Sequence, residues 1–224
     1  MKLVSTKRRL LNGNQLRAKG NKMYLNPDEK TFNGNYVKLE SLDSKKHAND
    51  LFDSFINDQS IFEYMNFGPF VNKADFVDWL TRIEFLNDRL TYSVYSKRLE
   101  KYVGMYSIIN IDVSNGKAEL GSIWYGMEAQ KSEINTESTY ILLMYLFEKM
   151  NYRRIEWKCD NENIKSKNAA LRLGFKFEGL FRKHMIIKNK NRDTAWFSII
   201  DDEWVGLKNK FNDILIYKYE NKGS

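Results

Sequence analysis

The residues in this chain best suited to chemistry lie between Glu119 and Gly174, where a strand, a polar loop, a helix, a second strand and a second helix follow one another without a break. The first strand reads Glu119-Leu-Gly-Ser-Ile-Trp-Tyr125. The loop Gln130-Lys-Ser-Glu-Ile-Asn135 then leads into a helix predicted to open at Thr136, with Glu137 in its first turn. A helix N-terminus aimed out of the C-terminal end of a strand presents unpaired N–H groups to an anion, so this order of elements suits a phosphate-bearing cofactor. After that helix come the strand Arg154-Ile-Glu-Trp-Lys-Cys159, the capping types Asn163 and Ser166, and a short helix ending at Leu173-Gly174-Phe175. Gly174 stands where a helix needs a left-handed stop.

The elements around this stretch are punctuated by their own signals. Val37 and Leu39 alternate with Lys38 and Glu40 as in a half-buried strand, and Asp43 or Ser44 caps a helix carrying Leu51, Phe52, Phe55 and Ile56. A turn-like segment runs to the break at Gly68-Pro69, and a second helix follows from Asn72 with Phe76, Leu80, Ile83 and Phe85 on its apolar stripe. Strands are predicted at 92–95 and 102–110, and Asn115-Gly116 is a two-residue hairpin signal leading into 117–125. Ile155, Trp157 and Cys159 alternate in the later strand. Strands at 181–188 and 194–200 flank a hairpin at 189–192, and 201–211 reads as a closing helix. The total predicts an α/β (α+β) fold on a mixed, mainly antiparallel sheet, with residues 1–31 as a basic, partly irregular extension and 32–224 as one domain.

Composition sets the outer bounds. With 224 residues, 42% apolar and 14% aromatic, the chain can bury one sizeable core. Its net charge of +7 is modest for a nucleic-acid binder, and Lys7-Arg8-Arg9 is too short to argue for one. A nucleic-acid module is the rival that charge alone suggests. The single cysteine, Cys159, can form no internal disulfide, and neither a signal-peptide core nor an apolar run of transmembrane length is evident, so the expectation is a cytoplasmic protein with no membrane or nucleic-acid partner.

Three stretches, Asn35-Tyr-Val-Lys-Leu-Glu-Ser-Leu42, Arg153-Arg-Ile-Glu-Trp-Lys-Cys-Asp160 and Asn191-Arg-Asp-Thr-Ala-Trp-Phe-Ser198, join the Gln130 loop and the Asn-x-x-Ser…Leu-Gly-Phe run. Together they resemble the GNAT superfamily of N-acetyltransferases over roughly residues 32–204, above all the branch that includes ribosomal-protein N-terminal acetyltransferases. The resemblance implies a fold whose central parallel strands, here ending at Tyr125 and Cys159, splay apart to admit the pantetheine arm. It implies acetyl-CoA as cosubstrate, an amine of a small molecule or a protein N-terminus as acceptor, direct attack in a ternary complex, and no metal. A homodimer is left open.

Carried over residue by residue, the cofactor positions are Tyr125, Gln130, Lys131, Ser132, Asn135, Thr136, Asn163 and Ser166. Glu119 is the candidate proton acceptor, and His184 could substitute for the family's general acid, absent at Ala170, or take the proton in place of Glu119. Each has a plainer reading beside it: helix caps for Asn163 and Ser166, an ion pair for Glu119, packing or solvent for His184. Lys165, Lys167 and Arg172 could reach the terminal phosphate or simply be solvated. Tyr64, Phe67, Trp79, Trp124 and Trp196 are either core or the wall of an acceptor pocket.

The chain departs from the family pattern at three places; at one of them Asn135 replaces a second small residue of the loop. Glu133 stands where the loop motif has Gly, and a carboxylate about 4 Å from a phosphate costs on the order of 1 kcal/mol in water. Ala170 stands where many members place a tyrosine acid. Glu133 and Ala170 motivate the alternative of a CoA-binding protein that no longer catalyses.

Overall fold

Local signals start and stop each element in turn. The computed structural model describes residues 15–18 and 22–219; the basic triplet at 7–9 lies outside them. β1 (Gln15–Ala18) and β2 (Lys22–Leu25) pair only with each other. β3 (Thr31–Asn33) and β4 (Val37–Ser41) lead to α1 (Ser44–Phe55), capped by Asp43, whose carboxylate accepts from the Lys46 N–H. A short 3-10 turn at Gln59–Phe62 precedes α2 (Lys73–Glu84), capped by Asn72. Phe76 and Leu80 are buried on α2, whereas Phe85, predicted on the same stripe, is 73% exposed because the helix has already ended.

β5 (Leu90–Ser96), β6 (Lys101–Asp112) and β7 (Lys117–Tyr125) form a meander. Its second turn carries Gly116 at φ +59°, a left-handed conformation that suits glycine. Then come α3 (Glu133–Met144), continued by a π-helical turn at Tyr145–Lys149, β8 (Arg154–Asp160) and α4 (Ile164–Arg172), which ends at Gly174 with φ +93°. β9 (Lys176–Ile187), β10 (Lys190–Ile200) and α5 (Asp201–Tyr219) close the chain.

The last hairpin differs from its prediction. Its turn is Lys188-Asn189, both at positive φ, rather than 189–192, and β9 starts at Lys176 rather than at residue 181. Nearly every residue of β9 is exposed, so no inside-outside alternation marks where it begins.

The sheet runs β3-β4-β5-β6-β7-β8-β10-β9, and β7 with β8 is its parallel pair. A parallel pair needs a crossover, which α3 supplies. Alternation along the strands gives the sheet two faces. Ile155, Trp157 and Cys159 of β8 and Ala195, Phe197 and Ile199 of β10 join α3 and α5 in one core, with Leu142, Leu146 and Trp204. The opposite face carries a second, aromatic cluster under α1 and α2, with Phe55, Phe62, Phe70, Phe76 and Trp124. The segment before β3 is packed on the body: Tyr24 is buried, edge-on to Tyr152, and the Tyr92 hydroxyl donates to the Glu29 carbonyl at 2.7 Å. No described helix is long and apolar enough to cross a membrane.

His47 on α1 gives the fold a pH dependence. Its Nδ1 accepts from the Asp43 N–H at 3.1 Å, its ring lies against Tyr102, and its Nε2 has no hydrogen-bond partner, 4.0 Å from a Glu40 oxygen. Burial pushes Glu40 up, but hydrogen bonds from Lys38, Lys46 and Tyr102 outweigh it and bring the carboxyl to about 2. Burial pushes the His47 imidazole below the usual histidine value, more than Glu40 raises it. A base whose folded pKa is depressed stabilises the fold above its unfolded value, and that contribution is lost as pH falls. Stability from urea unfolding is therefore expected to drop as pH passes down through roughly 6.5, and to drop less steeply in His47→Gln. Equal slopes would remove His47 as the source.

Candidate active site

The parallel strands pair only briefly. β7 and β8 are in register at Lys117 with Arg154, Ala118 with Ile155 and Glu119 with Glu156, and there the ladder stops. From Leu120 to Tyr125 the β8-facing edge of β7 has no strand beside it, although β8 itself continues to Asp160, paired with β10. Unpaired edge groups of this kind can take an extended ligand chain as an added strand. A bulge accompanies the parting: three residue steps on β7, from Gly121 to Trp124, oppose two on β6, and Ser122 sits at φ +51°. Bulges re-aim side chains beside sites. The left-handed residue of this bulge is a serine rather than a glycine.

The loop beyond β7 is held by its own side chains. Gln130 donates from Nε2 back to the Tyr125 carbonyl at 3.0 Å, and Lys131 adopts φ +56°. Ser132 is the N-cap, accepting from Ile134 N–H at 3.3 Å and donating to the Ala129 carbonyl at 2.6 Å. α3 therefore opens at Glu133, three residues before the predicted Thr136. The N–H groups of Glu133 and Asn135 are left without an intrahelical acceptor.

Asn135 and Thr136 thus belong to the helix rather than the loop. Thr136 is buried and accepts from Arg172 of α4 at 2.9 Å. Glu133 is turned toward Arg98, whose Nε lies 3.3 Å from its carboxylate. Glu137, expected in the first turn, falls in the second, and its carboxylate accepts the backbone N–H groups of Asn35, Tyr36 and Val37, each at 2.7 Å.

On the far side of the gap, Asn163 caps α4 by accepting from Ser166 N–H at 2.9 Å, and Ser166 Oγ accepts from the Trp157 indole at 3.0 Å. Both keep the capping and packing roles that their types allow. Lys167 donates to Asn161, Arg172 bridges to α3, and Lys165 is exposed. Ala170 is wholly buried.

The candidate acid–base residues share the face of the sheet opposite α3. Glu119 accepts from Asn110 Nδ2 at 2.7 Å and pairs with Lys158 Nζ at 2.8 Å. The same ammonium lies 2.9 Å from Glu156 and 4.0 Å from the Trp196 ring centre, a cation–π contact. Arg154 joins Glu156 at 2.8 Å to Glu178 at 2.7 Å, and Ser198 donates to Glu178. Burial pushes Glu156 up, but hydrogen bonds from Arg154 and Lys158 outweigh it and leave the group below the usual carboxylate range. The Arg154 hydrogen bond holds Glu178 low as well.

Glu178 is the extra residue of a β9 bulge between Gly179, opposite Trp196, and Phe177, opposite Phe197. His184 falls in a second irregularity of β9, shares a hydrogen bond with Thr194 Oγ1 at 3.0 Å, and packs against Phe181 and Trp196. Glu119 and His184 are thus brought to one cluster with Trp196 between them. Of the other aromatics, Trp124 is buried under α1 and α2 with its indole N–H unpaired, and Phe67 lies against Trp79. Lys158, Arg154, Glu178 and Gly179 were not singled out from sequence. The available signal was that Glu156 and Lys158 alternate with the buried Ile155, Trp157 and Cys159. No described cluster of His, Cys, Asp and Glu could hold a metal ion.

Residues 37–176, more than half of the chain, match the family model for an acetyltransferase (GNAT) domain. A GCN5-related N-acetyltransferase from Brucella melitensis, known from its crystal structure, is 39% identical over 83% of this chain and 85% of that one, with a TM-score of 0.81. YdaF of Bacillus subtilis (strain 168), named as a candidate ribosomal N-acetyltransferase, is 28% identical over 68% of this chain and 84% of its own length. The microcin C7 self-immunity acetyltransferase MccE, solved with acetyl-CoA and AMP, is 26% identical over 75% of this chain and 93% of that one, with a TM-score of 0.67.

The Lys158 ammonium is the partner shared by two carboxylates that face each other across strands. Removing one member of a buried charge cluster typically costs about 3–5 kcal/mol. Lys158→Met is therefore expected to lower unfolding stability by about 3 kcal/mol, and Glu156→Gln added to it is expected to restore part of the loss. Denaturant titration of the three chains checks this. A neutral Lys158→Met would show that the carboxylates do not depend on it.

Proposed function

The chain belongs to the GNAT acetyltransferase family, and from that premise we propose that it moves the acetyl group of acetyl-CoA to a primary amine, of a small molecule or a protein N-terminus, by direct attack in a ternary complex. One observation carries this reading: β7 and β8 part just after Glu119 and Glu156, and β7 runs on without β8 to Tyr125, from which a short loop leads to the start of α3. An extended pantetheine arm fits along the unpaired edge of β7, and the pyrophosphate fits the N–H groups around Lys131 to Asn135. Gln130 supports that loop through the Tyr125 carbonyl, while Asn163 and Ser166 line the opposite side.

In the proposed reaction the amine nitrogen bonds to the thioester carbon, the carbonyl oxygen takes up charge near the β7 bulge, and the C–S bond then breaks. Preorganised N–H groups aimed at that oxygen would supply the stabilisation. Glu119 receives the amine's proton, directly or through a water. An ordinary thiol has a pKa near 8.5, so CoA leaves readily as thiolate and the lack of an acidic side chain at Ala170 is tolerable. The alternative of a chain that binds CoA without turnover loses one of its grounds, since the Glu133 carboxylate is engaged by Arg98. In this reading the transferase domain spans 32–224, with the segment containing Tyr24 packed onto it.

Two measurements test the reading. CoA at about a hundredfold excess over its dissociation constant should stabilise the fold by about 2.7 kcal/mol, seen as a raised melting temperature. Absence of any shift at saturating CoA would remove the cofactor assignment. Glu119→Gln should keep that CoA shift while turnover falls on the order of 10²-fold, with the deficit shrinking as pH rises and the amine deprotonates in solution. Unchanged turnover at neutral pH would move the proton-acceptor role away from Glu119.

A further inference from the structure

A cavity of about 280 Å³ opens on the same face as Glu119, lined by Arg154, Glu156, Glu178, Gly179, Phe181 and Trp196. Its floor is bare backbone. A Cβ placed on Gly179 would meet no atom within 4 Å, and the residue is not in the left-handed region, so neither crowding nor backbone strain calls for glycine there. Trp196, the cross-strand partner of Gly179, forms one wall, and Phe181 packs on it with ring centres 4.4 Å apart. The β9 bulge directs Glu178 to the opposite wall, where Arg154 and Ser198 hold it.

The charge around this cavity does not balance. Among the described residues Glu119, Glu156 and Glu178 are joined by two cations, Lys158 and Arg154, so the linked cluster carries one uncompensated negative charge. One ammonium would neutralise it, and a carboxylate would be repelled.

We propose that the cavity over Gly179 is the acceptor subsite, and that it takes a small primary ammonium with an apolar or aromatic body and no carboxylate beside the amine. The inference rests on the transferase reading and deepens it. Ligand pockets commonly span about 300–1,000 Å³, so this one holds a single small amine or one side chain. Its ammonium would lie against Glu156 and Glu178, and its body on Phe181 and the edge of Trp196. Lys158 links Glu156 to Glu119 through ion pairs of 2.9 and 2.8 Å, placing the proposed proton acceptor next to the subsite.

The test titrates the full chain by calorimetry with CoA, and then, with CoA bound, with 2-phenylethylamine, phenylalanine and N-acetyl-2-phenylethylamine. The first amine should bind saturably. The carboxylate-bearing and the neutral analogues should bind at least about tenfold more weakly, as expected where a charged group is left unmatched. Gly179→Val puts a side chain into the space that a Cβ at 179 enters freely, so it should weaken 2-phenylethylamine by about tenfold or more, with CoA affinity and melting temperature unchanged. Glu178→Gln should weaken the same amine and narrow its preference over phenylalanine. The proposal is overturned if phenylalanine binds as tightly as the amine, if 2-phenylethylamine does not saturate, or if Gly179→Val binds and acetylates it like the wild type. CoA binding with amine acetylation indifferent to Gly179→Val removes this subsite and leaves the transferase reading intact, whereas failure of the wild-type chain to bind CoA removes the transferase reading itself.

Discussion

Glu119 and Glu156 face each other across two parallel strands, and the Lys158 ammonium between them is what makes that pairing tolerable. Like charges directly opposite one another destabilise a sheet. Two carboxylates roughly 5 Å apart repel by about 3 kcal/mol at an effective dielectric of about 20. Lys158 lies within hydrogen-bond reach of both, and the Trp196 ring covers it from a third side. The cluster therefore acts as a clamp at the last rung of the β7–β8 ladder. Beyond it the strands owe each other nothing, and β7 bulges at Ser122 while β8 stays with β10.

The start of α3 depends on tertiary bonds as much as on its own cap. Glu137, in the second turn, collects backbone N–H groups from Asn35 and Tyr36 in the turn between β3 and β4 and from Val37 at the start of β4, and Gly34 suits that turn because a Cβ would come within 2.5 Å of the Glu137 carboxyl carbon. Arg172 ties α4 to Thr136 one residue earlier. The helix end that faces the gap is thus fixed from both sides, which suits a site where N–H groups must point at a ligand before it arrives.

Where one residue type decides an outcome locally, the sequence was readable. Asn72 caps its helix, Asp43 caps α1 as one of the two candidates with Ser44, Gly174 stops α4, and Gly116 turns the hairpin, though as the last residue of a four-residue loop, 113–116, rather than of a two-residue turn. The opening of α3 was harder to read because Ser132, Asn135 and Thr136 are all capping types. Ser132 takes the role with its hydroxyl bonded to both Ala129 and Ile134. The face of β8 that carries Glu156 and Lys158 could be inferred from alternation, but its register against β7 could not, since register is a property of two strands and the crossover between them. Gly179 was opaque for a similar reason: its meaning lies in the open space above it, which only the neighbouring strands define.

The central claim is that the parted edge of β7 receives the pantetheine arm. The most direct measurement is a crystal structure of the chain with CoA. The account predicts the arm alongside 120–125, the pyrophosphate against the N–H groups of 131–135, and the thiol directed toward the face that carries Glu119 and Lys158. CoA bound elsewhere, or β7 and β8 found paired along their full length with CoA present, would contradict it.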